Sequence, residues 1–109
     1  MMTDIRFFRG EVWAAVLPGM TEENYYLVVS SNSRNRALRT CLVVRITSTD
    51  KPDIPSIVRI PNGECVTGRV LCDDVEDMWP EDARTKLGAF TPSTMQMVNA
   101  AIAVALGLT

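Results

Sequence analysis

The sequence of 109 residues contains no histidine. That absence removes the one side chain whose unperturbed pKa suits proton transfer near neutrality, so any acid–base chemistry must fall to other groups. It also removes a common zinc ligand, and Cys41, Cys65 and Cys72 match neither a C-x-x-C pair nor a zinc ribbon. No metal site and no cofactor are expected. Long apolar runs are missing as well: nothing approaches the roughly 18 apolar residues of a membrane span, and Met1 to Arg9 offers only Phe7 and Phe8, without the cleavage pattern of a leader. The expectation is a chain of the reducing cytoplasm with free thiols, in which Cys41 and Cys72 act as small apolar residues within strands.

Charge of one sign is absent over two long stretches. From Asn24 through Thr49 there is no Asp or Glu, while Arg34, Arg36, Arg39 and Arg45 fall there; from Asp73 through Asp82 there is no Lys or Arg, but six carboxylates. The net charge of −2 argues against a protein coated in nucleic acid, yet it conceals this segregation. The length leaves room for one hydrophobic core, so a single domain over residues 1–109 is expected.

Residues 11–17 and 25–31 read as strands separated by the Pro18-Gly19 turn and a polar loop. Residues 32–38 are polar and rich in turn formers, 40–47 a third strand, 57–60 a fourth, and 65–73 a fifth interrupted by Gly68. The acidic stretch reads as a solvated loop, Pro80 opens a helical turn through Lys86, and 87–90 adds an edge strand. Thr91-Pro92 then caps a terminal helix whose stripe Met95, Val98, Ile102 and Ala105 faces the core. Met97 and Val104 leave little polar surface on its far side, which predicts a doubly covered helix. Five short strands in a row predict a mainly β, α+β fold, a small half-open antiparallel barrel with a C-terminal helix.

On the third strand, Arg45 and Thr47 share a face, with Ser48 where the strand opens. A guanidinium fork and adjacent hydroxyls suit a phosphodiester. On the fifth, Thr67, Arg69, Leu71 and Asp73 share a face provided that Gly68 introduces no bulge. Asp73 is the carboxylate placed to take a ribose 2′-hydroxyl proton, and Arg45 or Arg69 would stabilise the charge of a phosphorane. Arg34, Arg36 and Arg39 are candidates for tracking the phosphates of a single strand, with Tyr25 or Tyr26 stacking a base and the other in the core. Trp13 and Trp79 are read as packing residues.

In series, Arg9-Gly10-Glu11-Val12-Trp13, Tyr26 to Asn32, Val44-Arg45-Ile46-Thr47-Ser48, and Thr67-Gly68-Arg69-Val70-Leu71-Cys72-Asp73 resemble the MazF/PemK (Kid-like) toxins, over roughly residues 9–108 and nearest to the mycobacterial and actinobacterial branch. That resemblance implies a MazF/CcdB-like barrel and a homodimer crossed by single-stranded RNA. It implies metal-free cleavage to 2′,3′-cyclic phosphate and 5′-hydroxyl ends, and a cognate antitoxin partner. Thr47 matches the family's catalytic threonine and Ser48 the residue after it. Where much of the family carries an Arg-Pro pair, this chain has Asn24-Tyr25, and where the Kid branch carries a second arginine it has Leu71. Arg45 is expected to take the missing role, Asp73 to complete the catalytic set, and Asn24, Ser48, Arg34, Arg36, Arg39, Thr67 and Arg69 to contact RNA. The alternatives left open are a non-enzymatic, CcdB-like poison of DNA gyrase and a decayed toxin that binds without cutting.

Overall fold

The computed structural model describes residues 5–109; the reading of Met1 to Arg9 as lacking a leader rests in part on residues 1–4, which lie outside them. The elements run β1 (Glu11–Ala15), β2 (Asn24–Val28), α1 (Asn32–Leu38), β3 (Cys41–Thr47), β4 (Ile57–Arg59), β5 (Arg69–Met78), a 3-10 turn (Pro80–Asp82), β6 (Ala83–Ala89) and α2 (Pro92–Ala105). The strands form one antiparallel sheet in the order β4-β5-β3-β2-β1-β6, with β4 and β6 unpaired to each other. The result is the mainly β, half-open architecture with a terminal helix that the sequence predicted. No helix among the described residues is long and apolar enough to cross a membrane.

Strand alternation divides the core in two. Val44 and Ile46 of β3 join Val12, Leu27, Val70 and Phe90 beneath Met95 and Val98 of α2, whereas Cys41 and Val43 turn the other way, toward Trp13, Tyr26, Val28 and Met78. Each such side chain, fully buried, contributes about 1.5–3 kcal/mol, so both faces of β3 hold the sheet in register. The R-G-E-V-W block serves this packing. The Glu11 carboxylate is buried and accepts from Phe8 N at 3.0 Å, Trp13 Nε1 at 3.0 Å and Lys86 Nζ at 3.4 Å.

Three elements differ from the sequence reading. Residues 32–38 are a helix, because the Ser31 hydroxyl caps Arg34 N and buried Asn35 bonds both the hydroxyl and the carbonyl of Ser30. The acidic stretch belongs to β5: Val75 to Met78 pair with Val44 to Cys41, and apolar Met78 is fully buried. Glu76 and Asp77 between them are exposed. The helical turn after Pro80 stops at Asp82, and β6 begins at Ala83 by pairing with β1. Trp13 packs as expected, but Trp79 is exposed at the start of that turn. The outer face of α2 is uncovered within this chain, with Met97 and Val104 exposed.

Candidate functional site

The end of β3 builds the site. Tyr26 pairs with Arg45, and Thr47 with Arg69, so these side chains lie on one face of three adjacent strands. Beside them an open groove of about 730 Å³ is lined by Asn24, Tyr25, Arg45, Thr47, Ser48, Cys65 and Thr67, among others. The sequence assigned Asn24, Arg45, Thr47, Ser48 and Thr67 to RNA or catalysis, and the fold brings these five together. Tyr25 is exposed at the groove while Tyr26 is buried, which resolves the choice between the two tyrosines.

Arg45 is the most constrained member. Its Nη2 donates to Asn24 Oδ1 at 3.2 Å, and its Nε is buried without a hydrogen-bond partner among the described residues. The residue as a whole is only partly buried and lines the groove, where its planar fork can meet an incoming oxygen acceptor. Around it stand Tyr26, Asp74 and Glu76. Burial, then the Asp74 carboxylate, raises Glu76 above the usual carboxylate range, while the Arg45 charge pulls it down. Burial and the Glu76 charge likewise raise the Tyr26 phenol. Sequence reasoning passed over Asp74 and Glu76 because it read their segment as a loop, and no alternation of apolar residues marks it as a strand. Nothing local in the sequence marks Cys65.

Thr47 Oγ1 accepts from Thr49 N at 3.1 Å, which bends the chain out of the strand and leaves the hydroxyl proton free to be donated. Gly68, at φ +118°, crosses close behind Thr47.

Other assigned residues do not line the groove. Arg69 is buried and engaged, with Nη1 on Asp53 Oδ1 at 2.6 Å and Nη2 3.6 Å from Asp50. That hydrogen bond, with the guanidinium's charge, holds Asp53 below its ordinary range. Asp73 departs from the expected shared face: between Leu71, opposite Arg45, and Val75, opposite Val44, the residues 72–74 form a bulge. Asp73 is exposed there and does not line the groove. Arg34 is structural, its Nη1 donating to the Thr40 carbonyl at 2.9 Å. Arg36 and Arg39 lie on α1 or at its end, beyond the opposite end of β3 from Thr47. No three Cys, Asp or Glu side chains among the described residues are gathered to hold a metal ion.

Residues 8–106 match the family described as the PemK-like, MazF-like toxin of type II toxin-antitoxin systems. Endoribonuclease MazF4 of Mycobacterium tuberculosis is 39% identical over 83 residues, which span 76% of this chain and 78% of that one. A mycobacterial endoribonuclease solved in complex with its cognate antitoxin superposes with a TM-score of 0.87 at 35% identity, over 94% of this chain and 97% of its own. MazF from Deinococcus radiodurans, at 20% identity, shares the fold with a TM-score of 0.81, over 95% of this chain and 99% of its own.

Proposed function

We infer that this chain, which belongs to the PemK-like, MazF-like toxin family of type II toxin-antitoxin systems, is an endoribonuclease held in check by a cognate antitoxin, and that it cuts single-stranded RNA without a metal ion. The observation that carries this reading is Arg45 beside Thr47 in the groove, its guanidinium oriented by Asn24. In the reaction the ribose 2′-oxygen forms a bond to phosphorus as the bond to the 5′-oxygen breaks. The 2′ proton is lost to solvent or to a carboxylate at the groove, and the leaving oxygen is protonated to a 5′-hydroxyl. The Arg45 guanidinium stabilises the charge that builds on the phosphorane oxygens, at about the 2.7–4 kcal/mol typical of one such donor. The Thr47 hydroxyl donates to the same group or to the leaving oxygen. Asn24 orients Arg45 through its side-chain oxygen. Ser48 and Thr67 are placed to hold the flanking sugar and phosphate, and Tyr25 to stack a base.

The antitoxin reading rests on the mycobacterial relative that was solved with its cognate antitoxin. The exposed apolar residues Met97 and Val104 of α2 favour a homodimer in which a second copy covers them.

The test is incubation of purified protein with mixed-sequence single-stranded RNA in EDTA, with Thr47→Ala in parallel and product ends analysed. Cyclic-phosphate ends that vanish in the variant support the reading. Intact RNA from folded, antitoxin-free protein would overturn it in favour of a protein target.

A further inference from the structure

A second concavity lies far from the groove. It has a volume of about 240 Å³ and is lined by Arg6, Phe8, Asn32, Arg36 and Arg39, among others, where the chain ahead of β1 passes α1. β3 separates the two: from Arg39 to Thr47 is eight residues at about 3.3 Å, roughly 25 Å. The pocket has three arginines and no acidic residue in its lining, in a chain whose net charge is negative. Arg36 has no hydrogen-bond or ion-pair partner among the described residues, and Arg39 has only Glu81 at 4.0 Å, with both side chains more than half exposed. Such a pair is weak and yields readily to a stronger anion. Asn32 uses its oxygen to accept from Arg9 N at 2.7 Å, which turns its NH2 group toward other acceptors. Phe8 is 49% exposed, its flat ring uncovered at the pocket.

We propose that this pocket is a second RNA subsite, which takes one nucleotide well removed from the cleaved bond, its phosphate on Arg36 and Arg39 and its base against Phe8. The inference rests on the reading of the chain as an RNA-cutting enzyme. The chemistry selects a nucleotide over an acidic peptide: carboxylates would satisfy the arginines, but only a ligand carrying both an anion and a planar ring uses Phe8 and the unspent Asn32 donors together. An RNA long enough to span both sites is then held at two points, so affinity rises with substrate length while the chemistry at Thr47 is untouched.

The experiment uses 15N-labelled Thr47→Ala protein, which leaves RNA uncut, titrated with a mixed-sequence single-stranded octaribonucleotide at low salt. Backbone amide shifts are followed at Phe8, Asn32 and Arg36 for the pocket and at Ser48 and Thr67 for the groove. The expected result is movement of both sets, with Arg36→Glu weakening the pocket response roughly tenfold and Phe8→Ala weakening it without any change of charge. Shifts at the groove alone would overturn the subsite and leave the proposed cleavage standing. Shifts at the pocket alone would support the subsite and count against the cleavage reading. A pocket response matched by inorganic phosphate alone, or given by an oligoglutamate peptide and not by RNA, would overturn the assignment to a nucleotide.

Discussion

A Cβ on Gly68 would lie 2.4 Å from the carbonyl oxygen of Thr47. Both partners in that clash are backbone, and Gly68 is further tied by its own carbonyl, which accepts from Ile60 N at 3.0 Å. The close approach sets where Thr47 sits in the groove, and φ +118° at Gly68 is itself a region that other residues avoid. Gly68→Ala is therefore expected to destabilise the fold by about 1–3 kcal/mol and to lower kcat more than KM, since it moves the catalytic hydroxyl. Thermal unfolding and steady-state cleavage measured on the same preparation check both.

Arg45→Ala is expected to reduce kcat by roughly 10²–10³. Arg45→Lys should restore little of it, because an ammonium restores the charge but not the planar fork that reaches Asn24 and substrate together. Asn24→Ala should be milder, about tenfold or less, since it removes one orienting hydrogen bond at 3.2 Å and leaves the guanidinium in place. Cleavage of a fluorogenic RNA under single-turnover conditions separates the three. Wild-type rates for Arg45→Ala would exclude it from the chemistry.

Asp73→Asn is expected to keep at least about half of the wild-type rate, as surface substitutions away from a site usually do. Asp73 is exposed in the bulge of residues 72–74, away from the groove. A large loss in the same single-turnover assay would place Asp73 in the reaction after all.

Asp73 also marks where the sequence ceased to be readable. Strand existence, the terminal helix and the grouping of Arg45, Thr47 and Ser48 follow from local alternation and caps, which one stretch of chain carries by itself. Whether Asp73 shares their face depends on three extra residues in β5 relative to β3, and only the pairing of the two strands fixes that. The same holds for α1, whose seven residues are stabilised by Asn35 reaching Ser30 and not by helical periodicity. Burial of Met78 against Cys41 turned an acidic loop into a strand for a related reason: tertiary pairing outweighed composition.

Thiol chemistry separates the three cysteines. Burial pushes both Cys41 and Cys72 up to about 12, so neither supplies thiolate at neutral pH, and only Cys65 is exposed. Native protein is expected to take up one equivalent of a maleimide, at Cys65. Because burial raises this thiol as well, the rate should climb as pH rises above neutrality. The adduct projects into the groove that Cys65 shares with Thr47 and Thr67, so cleavage should fall in step with labelling, while Cys65→Ser protein remains active and unlabelled. Mass spectrometry and activity on the same samples decide it.

Glu64, the neighbour of groove residue Cys65, ties its loop to the start of α2. Its carboxylate accepts from Thr91 N at 3.2 Å and Thr91 Oγ1 at 2.8 Å, and also from the Thr94 hydroxyl. It thus satisfies donors at the first turn of the helix from a loop 27 residues earlier. Burial works against the charged form, but the bonds from Thr94 and Thr91 outweigh it, and the carboxyl is held below its ordinary value of 4.5. A carboxyl with a lowered folded pKa stabilises the fold fully above its unfolded value and loses that contribution as pH falls through the folded one. Glu64→Gln is accordingly expected to cost about 1 kcal/mol at pH 7, and the gap between wild type and variant should close as pH drops below about 4. Urea unfolding at a series of pH values reads that gap directly. A gap of constant size across the acid range would mean that packing, and not the carboxylate charge, holds the helix start, because an amide of the same shape would then have replaced the acid without loss of any pH-dependent term.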